Sequence, residues 1–166
     1  MLHKPTQSRV ALGKHPLHPM LVVFPIAFLT ATPLADLALW WSGDVFWGRV
    51  AFWLVAVGVG GGIAAAAAGL LEFLLVRRVR ERLAGWTHLL AAVMALSLGA
   101  ANLRLRWDDP VEAALPWGLF LSTLTAMMVA LAGWLGGTLT FGHGIGTYPH
   151  PHEQQAAGEA ERSEPR

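Results

Sequence analysis

The chain has 166 residues, enough for one domain, and a formal net charge of +1 that says little about partners. Hydrophobic residues make up 54% and charged residues 14%, against roughly 25% charge in an ordinary soluble domain, so a globular surface could not be covered with polar groups. There is no cysteine, which excludes disulfides, thiolate metal sites, cysteine-held iron–sulfur clusters and covalent attachment of c-type haem.

Residues 1–14 carry Lys4, Arg9 and Lys14 with no acid, and read as a basic, mobile leader. His15-Pro16-Leu17-His18-Pro19-Met20 then joins the leader to an apolar run. His18 stands where an N-cap would be, and Pro19 fits the first helical position, where its missing N–H costs nothing. A first span is predicted over about 19–41, roughly 34 Å at 1.5 Å per residue, enough to cross the hydrocarbon. That is too long for the apolar region of a cleavable signal peptide, roughly 7–15 residues. Pro25 and Pro33 should bend it. Asp36, costly in lipid, is expected to pair with Arg49 or Arg104 near the outer surface, with a proton-handling role as the alternative. Trp40 and Trp41 fall at the far interface.

After a turn at Ser42–Asp44, a second span over about 46–76 exceeds what a bilayer needs, and must tilt or protrude. Its middle, Gly58-Val59-Gly60-Gly61-Gly62 followed by an alanine run and Gly69, has little side-chain volume. Such a face suits close helix packing, or else a flat cofactor lying against it. The basic loop Arg77-Arg78-Val79-Arg80-Glu81-Arg82 precedes a third span over about 86–103. A fourth, over about 115–141, contains Gly133 and Gly137 in a second close-packing pattern. Residues 147–166 form an acidic tail expected to be disordered.

These elements predict an all-α, integral-membrane four-helix bundle with up-down topology, its membrane domain running from residue 15 to 146. Lys4, Arg9, Lys14, Arg77, Arg78, Arg80 and Arg82 share one side, against Arg49, Arg104 and Arg106 on the other. The positive-inside rule then makes both termini cytoplasmic.

That topology brings His15, His18, Glu72, His88 and His143 to one level, one titratable group or more from each span. Bundle proteins build cofactor and metal sites this way. In a simple ring of helices, spans one and three are diagonal, so His18 and His88 can face each other as the axial pair of a b-type haem. His143 is a candidate second ligand, and Glu72 a candidate to orient an imidazole through its other ring nitrogen. Arg77 and Arg78 are candidates for the haem propionates. The competing view is plain: a histidine at a helix mouth can simply cap backbone groups, and arginines beside a membrane commonly only set topology. His150 and His152 in the tail are a weak metal-like tract.

The double His-Pro opening with Phe24-Pro25, the internal Glu72, His88 opening span three, and Gly136-Gly137 with Gly142-His143-Gly144 together resemble domain-of-unknown-function family 2231. These are small bacterial and archaeal four-helix membrane proteins. The resemblance covers roughly residues 12–146 and implies the cytoplasmic membrane of a prokaryote. It also implies association with redox proteins, since relatives occur joined to Rieske or cytochrome c domains. The leading expectation is therefore a haem b electron-transfer module or anchor, with a Rieske or cytochrome c protein or quinone as partner. The alternatives are a first-row transition-metal site on His18, His88 and His143 for transport or sensing, and a cofactor-free structural subunit. Homo-oligomerisation is compatible with the small-residue faces. No nucleophile–base pair, phosphate loop or nucleic-acid surface is visible, and Gly58–Gly62 lacks the Lys-Ser/Thr ending of a phosphate-binding loop.

Overall fold

A computed structural model describes residues 8–13 and 15–142. A two-stranded antiparallel hairpin, β1 (Ala11–Leu12) with β2 (His15–Pro16), leads into α1 (Leu17–Ser42). Then come α2 (Val45–Leu75), the single turn α3 (Arg77–Arg80), α4 (Leu83–Leu105) and α5 (Trp117–Gly137). A 3₁₀ turn at Glu112–Ala114 precedes α5, and a π turn at Thr138–Gly142 follows it. Four of these helices are long and apolar enough to cross a membrane. Only 22–28% of each spanning window is buried inside the protein, so most of their apolar surface faces outward, as lipid contact requires.

The helix ends follow from local chemistry. α1 stops at Gly43, whose φ of 69° is open to glycine and whose N–H bonds the Leu39 carbonyl. α2 starts at once because the Asp44 carboxylate accepts from the Phe46 N–H. At 31 residues α2 is about 46 Å long, well beyond a hydrocarbon core of about 30 Å. It ends where Val76 turns extended, and α3 folds back over the end of the bundle.

The span boundaries differ from the sequence expectation by one to four residues, α4 for example starting at Leu83 rather than 86. α1 begins at Leu17 rather than Pro19, because the Leu17 N–H is taken by the Val10 carbonyl and the hairpin delivers the chain already turned. Residues 8–13, read as part of a mobile leader, are instead held: Ser8 Oγ and the Arg9 and Val10 N–H groups all donate to the Glu72 carboxylate, at 2.9–3.1 Å.

α1 packs on α2 and α5, and α4 packs on α5 and α2. The ring order is thus α1–α2–α4–α5, with α1 diagonal to α4. Within that ring, the intimate contacts are α1 with α2 and α4 with α5, so the bundle is two helical hairpins joined along a seam. The α2 glycines are what bring the first hairpin together. A Cβ at Gly58 would lie 2.8 Å from Leu29, and at Gly62 3.7 Å from Pro25. Gly58, Gly61 and Gly62 are thus in helix contact, while Gly60 faces open space. In α5 the close approach is made by Gly136, while Gly133 of the expected pair faces open space. Leu29, Val55, Val59, Ala95 and Val129 form the apolar middle of the bundle.

Candidate functional site between the two hairpins

Polar side chains gather at two levels, half-buried histidines at one end and a fully buried aspartate network at the other. The end holding the start of α1 and the close of α5 carries histidines; the end holding the α1–α2 and α4–α5 turns carries Asp36. Trp40, Trp41, Trp47, Trp107 and Trp117 ring the aspartate end, the position indoles take at a membrane–water boundary.

At the histidine end, His18 and His88 meet across the bundle axis. Their ring centroids lie 6.1 Å apart and their planes at 83°. His18 Nδ1 is 2.8 Å from the Ala65 carbonyl, and His88 Nδ1 is 2.9 Å from the Ala132 carbonyl. A carbonyl oxygen only accepts, so each Nδ1 carries the hydrogen and each neutral ring keeps its Nε2 lone pair. Each ring also lies on a glycine: a Cβ at Gly69 would be 2.7 Å from His18 Nδ1, and one at Gly136 3.1 Å from His88 Cε1.

These two arrangements are copies of one another. In each hairpin the first helix supplies a histidine, and the second supplies the carbonyl that fixes it and, four residues later, the glycine that makes room for it. His18 and His88 are 70 positions apart, as are Asp36 and Arg106 at the other end. The hairpins are thus related by an approximate two-fold axis along the bundle, and both pairs sit on that axis. The repeat is not visible in the residues flanking these positions, which share almost no identities between the halves.

At the aspartate end, Asp36 and Arg106 form a two-pronged pair at 2.7 and 2.8 Å, both with no exposure. Ser122 Oγ donates to Asp36 Oδ2 at 2.6 Å, and Arg106 Nε donates to Asn102 Oδ1 at 2.8 Å. Gly118 clears the space, since a Cβ there would lie 2.6 Å from Arg106 Nη2. The expected partner of Asp36 was Arg49 or Arg104. Both are exposed on the outside, and Arg104 pairs with Asp108, whereas Arg106, just past the end of α4, turns inward. Among the described residues Asn102 Nδ2 is buried with no partner, beside a narrow gap edged by Thr32, Ser122 and Thr125.

The other candidate residues are placed as follows. Glu72 lies one turn beyond Gly69, on the far side of His18 from the bilayer centre, and its carboxylate is occupied by the leader; it does not orient an imidazole. His15 is exposed in β2. Arg77 is exposed and paired with Glu81, and Arg78 is half-buried and engaged. His143, His150 and His152 lie outside the described residues. Beyond the histidines, Phe73, Val76, Val79 and Leu139 form an apolar plug, with Trp86 stacked edge-on against Phe73.

Residues 14–149 match the family described as predicted membrane protein DUF2231. The chain belongs to that family. Neither a curated protein nor a solved structure matches it.

The donors present are two imidazoles, each bonded through Nδ1. Among the described residues no group of three or more His, Cys, Asp or Glu gathers at one place. The two rings lie 6.1 Å apart centroid to centroid, close enough that His18 and His88 together would hold a metal or haem iron, which would supply a redox couple or a Lewis acid. Space is the other half of the test. The apolar groove between α1 and α2 and the gap beside Asn102 both lie away from this level; a macrocycle would need room between the two hairpins, whereas a single ion would need only its donors.

Proposed function

We propose that this protein is a membrane-embedded electron-transfer module in which His18 and His88 are the axial ligands of a haem b at the seam between the two hairpins. The observation that carries this reading is the duplicated histidine setting: one imidazole per hairpin, each tethered through Nδ1–H, with the two rings 6.1 Å apart centroid to centroid. Two protein donors are what a haem needs, because the macrocycle supplies the remaining four. A bare divalent ion would need at least two more. When bound, the group supplies a one-electron couple whose potential is set by ligand identity, burial and nearby charge.

The chain's own contribution is to orient and to insulate. The Ala65 and Ala132 carbonyls hold both imidazoles in one tautomer and raise their basicity as ligands. The apolar middle on one side and the plug around Phe73 on the other keep bulk water away. Arg77 and Arg78 stand at the same end, where carboxylate side arms would need cations. The basic residues of the leader and of the 77–82 loop support a cytoplasmic placement of this end in a prokaryotic membrane. A Rieske or cytochrome c protein, or quinone, would then be the exchange partner.

A second reading has an observation of its own. His18 and His88 lie 6.1 Å apart centroid to centroid, and His143 follows in sequence directly on the π turn that ends at Gly142. A transition-metal ion held by His18, His88 and His143 would serve transport or sensing. One experiment separates the two. The detergent-purified protein is measured by absorption spectroscopy and elemental analysis, alone and as His18→Ala. Haem predicts a Soret band that shifts on dithionite reduction and is lost or altered in the variant. A bare ion predicts stoichiometric metal without that band. Neither signal in wild-type protein supplied with haem and metals defeats both readings.

A further inference from the structure

At the aspartate end, the outside of the α1–α2 hairpin carries an apolar groove of about 410 Å³, lined by Phe28, Phe46, Arg49, Val50, Trp53 and Leu54, with Val57 at its foot. Its α2 members recur at helical spacing and form one stripe down the lipid side. At 1.5 Å per residue, Arg49 lies about 6 Å and Val57 about 18 Å below the start of α2. Phe28 on α1 lies about 21 Å from that helix's end at Ser42. The groove therefore begins at headgroup depth and stops near the bilayer midplane, about 15 Å below the edge of the hydrocarbon. That is the path of one acyl chain in one leaflet.

Arg49 is the only charged residue of the groove. It is exposed, and no carboxylate among the described residues pairs with it. A helical side chain leans toward the helix N-terminus, which here means toward the membrane surface, so the guanidinium rises to phosphate level while its stem stays among Phe46 and Trp53. The α2 N-terminus beside it is already capped by the Asp44 carboxylate, so the attraction for an anion falls to Arg49.

We propose that this groove seats one anionic phospholipid of the adjoining leaflet, its phosphate on Arg49 and an acyl chain lying along the Val50–Trp53–Val57 stripe. The site is independent of the histidine pair and holds whether or not a cofactor binds there.

The test is native mass spectrometry of the full chain released from micelles containing phosphatidylglycerol and phosphatidylcholine with identical acyl chains. Wild-type protein retains one phosphatidylglycerol with about a fivefold preference, the effect of one cation beside an anionic lipid. Arg49→Gln removes the preference. Arg80→Gln, which deletes an exposed cation at the opposite end, leaves it. Val57→Trp fills the foot of the groove and lowers retention of both lipids. Equal retention of the two lipids by wild-type protein overturns the proposal. So does a preference that survives Arg49→Gln, one that is lost in Arg80→Gln, or retention unchanged in Val57→Trp. A thermal-unfolding series in the same micelles, in which only phosphatidylglycerol raises the wild-type midpoint, reads the same site without relying on transfer to the gas phase.

Discussion

The two polar levels of this bundle occupy equivalent positions on its two-fold axis and differ in what they leave unsatisfied. At the aspartate end, opposite charges meet, and both carboxylate oxygens of Asp36 and all three nitrogens of Arg106 find partners, leaving Asn102 Nδ2 as the buried atom without one among the described residues. At the histidine end, like groups meet, and each is bonded through Nδ1. A paired, charged network holds helices in register. An imidazole tethered through Nδ1–H has a second nitrogen that can act as a ligand donor. The difference teaches that burial of polar groups in a membrane does not by itself mark a functional site; the donor chemistry of the groups does.

The sharpest way to break this comparison is to unbalance the aspartate end. Arg106→Met leaves Asp36 charged and buried, and is expected to cost about 3–5 kcal/mol in a reversible unfolding titration in mixed micelles. Asp36→Leu combined with Arg106→Met should recover most of that loss, because the pair's desolvation is removed along with its attraction. Cofactor or metal content per folded molecule should be unchanged in the double variant. If content falls with it, the two levels are not separable.

Next in size are substitutions that crowd the rings. Gly69→Val places side-chain carbon where His18 Nδ1 stands and should cost about 1–3 kcal/mol. Gly136→Val does the same to His88, and the equivalence of the hairpins predicts matching losses of ligand from both. A large loss from one with none from the other would show that the two settings are not functionally paired.

Removing the imidazoles themselves should do little to the fold. His18→Ala and His88→Ala each delete one partly buried hydrogen bond, about 1 kcal/mol; under the proposed function each should also abolish the Soret band or the metal content that the proposal expects. Glu72→Gln belongs beside them. It retains one acceptor oxygen for the leader, so amide hydrogen exchange at Arg9 and Val10 should speed up while global stability changes by about 1 kcal/mol or less.

The smallest effect is a pH dependence at the aspartate end. The N–H groups of Glu112 and Val111 hold Asp109 below the usual carboxylate range. A carboxyl whose folded value is depressed stabilises the fold above its unfolded value, and that contribution is lost as pH falls through the folded one. Amide exchange at Val111 and Glu112 should therefore accelerate on acidification through that window, and Asp109→Asn should abolish the dependence.

Several features were legible in the residues alone because they depend on local composition. Apolar runs punctuated by Gly43, Asp44 and Pro110 give four spans, and the parity of the crossings puts His18 and His88 at one end. Asp36 was legible as needing a cation but not as choosing Arg106. That choice depends on α4 ending where Arg106 can turn inward and on Gly118 leaving room for it. Glu72 looked like a histidine partner because it shares their depth. Depth does not fix the side of a helix, and the folded leader reached its carboxylate first.

By itself, then, the sequence determined the class of the protein: four helices that water would not accept, with polar groups set at their ends, since transfer of apolar side chains into lipid needs no knowledge of neighbours. Tertiary structure alone decided which polar groups meet. Asp36 and Arg106, like His18 and His88, are distant in the chain and come together only when two hairpins with little shared sequence pack about a common axis. Contacts of that separation are set by helix rotation and by where glycines let backbones approach, and neither is written in the local pattern.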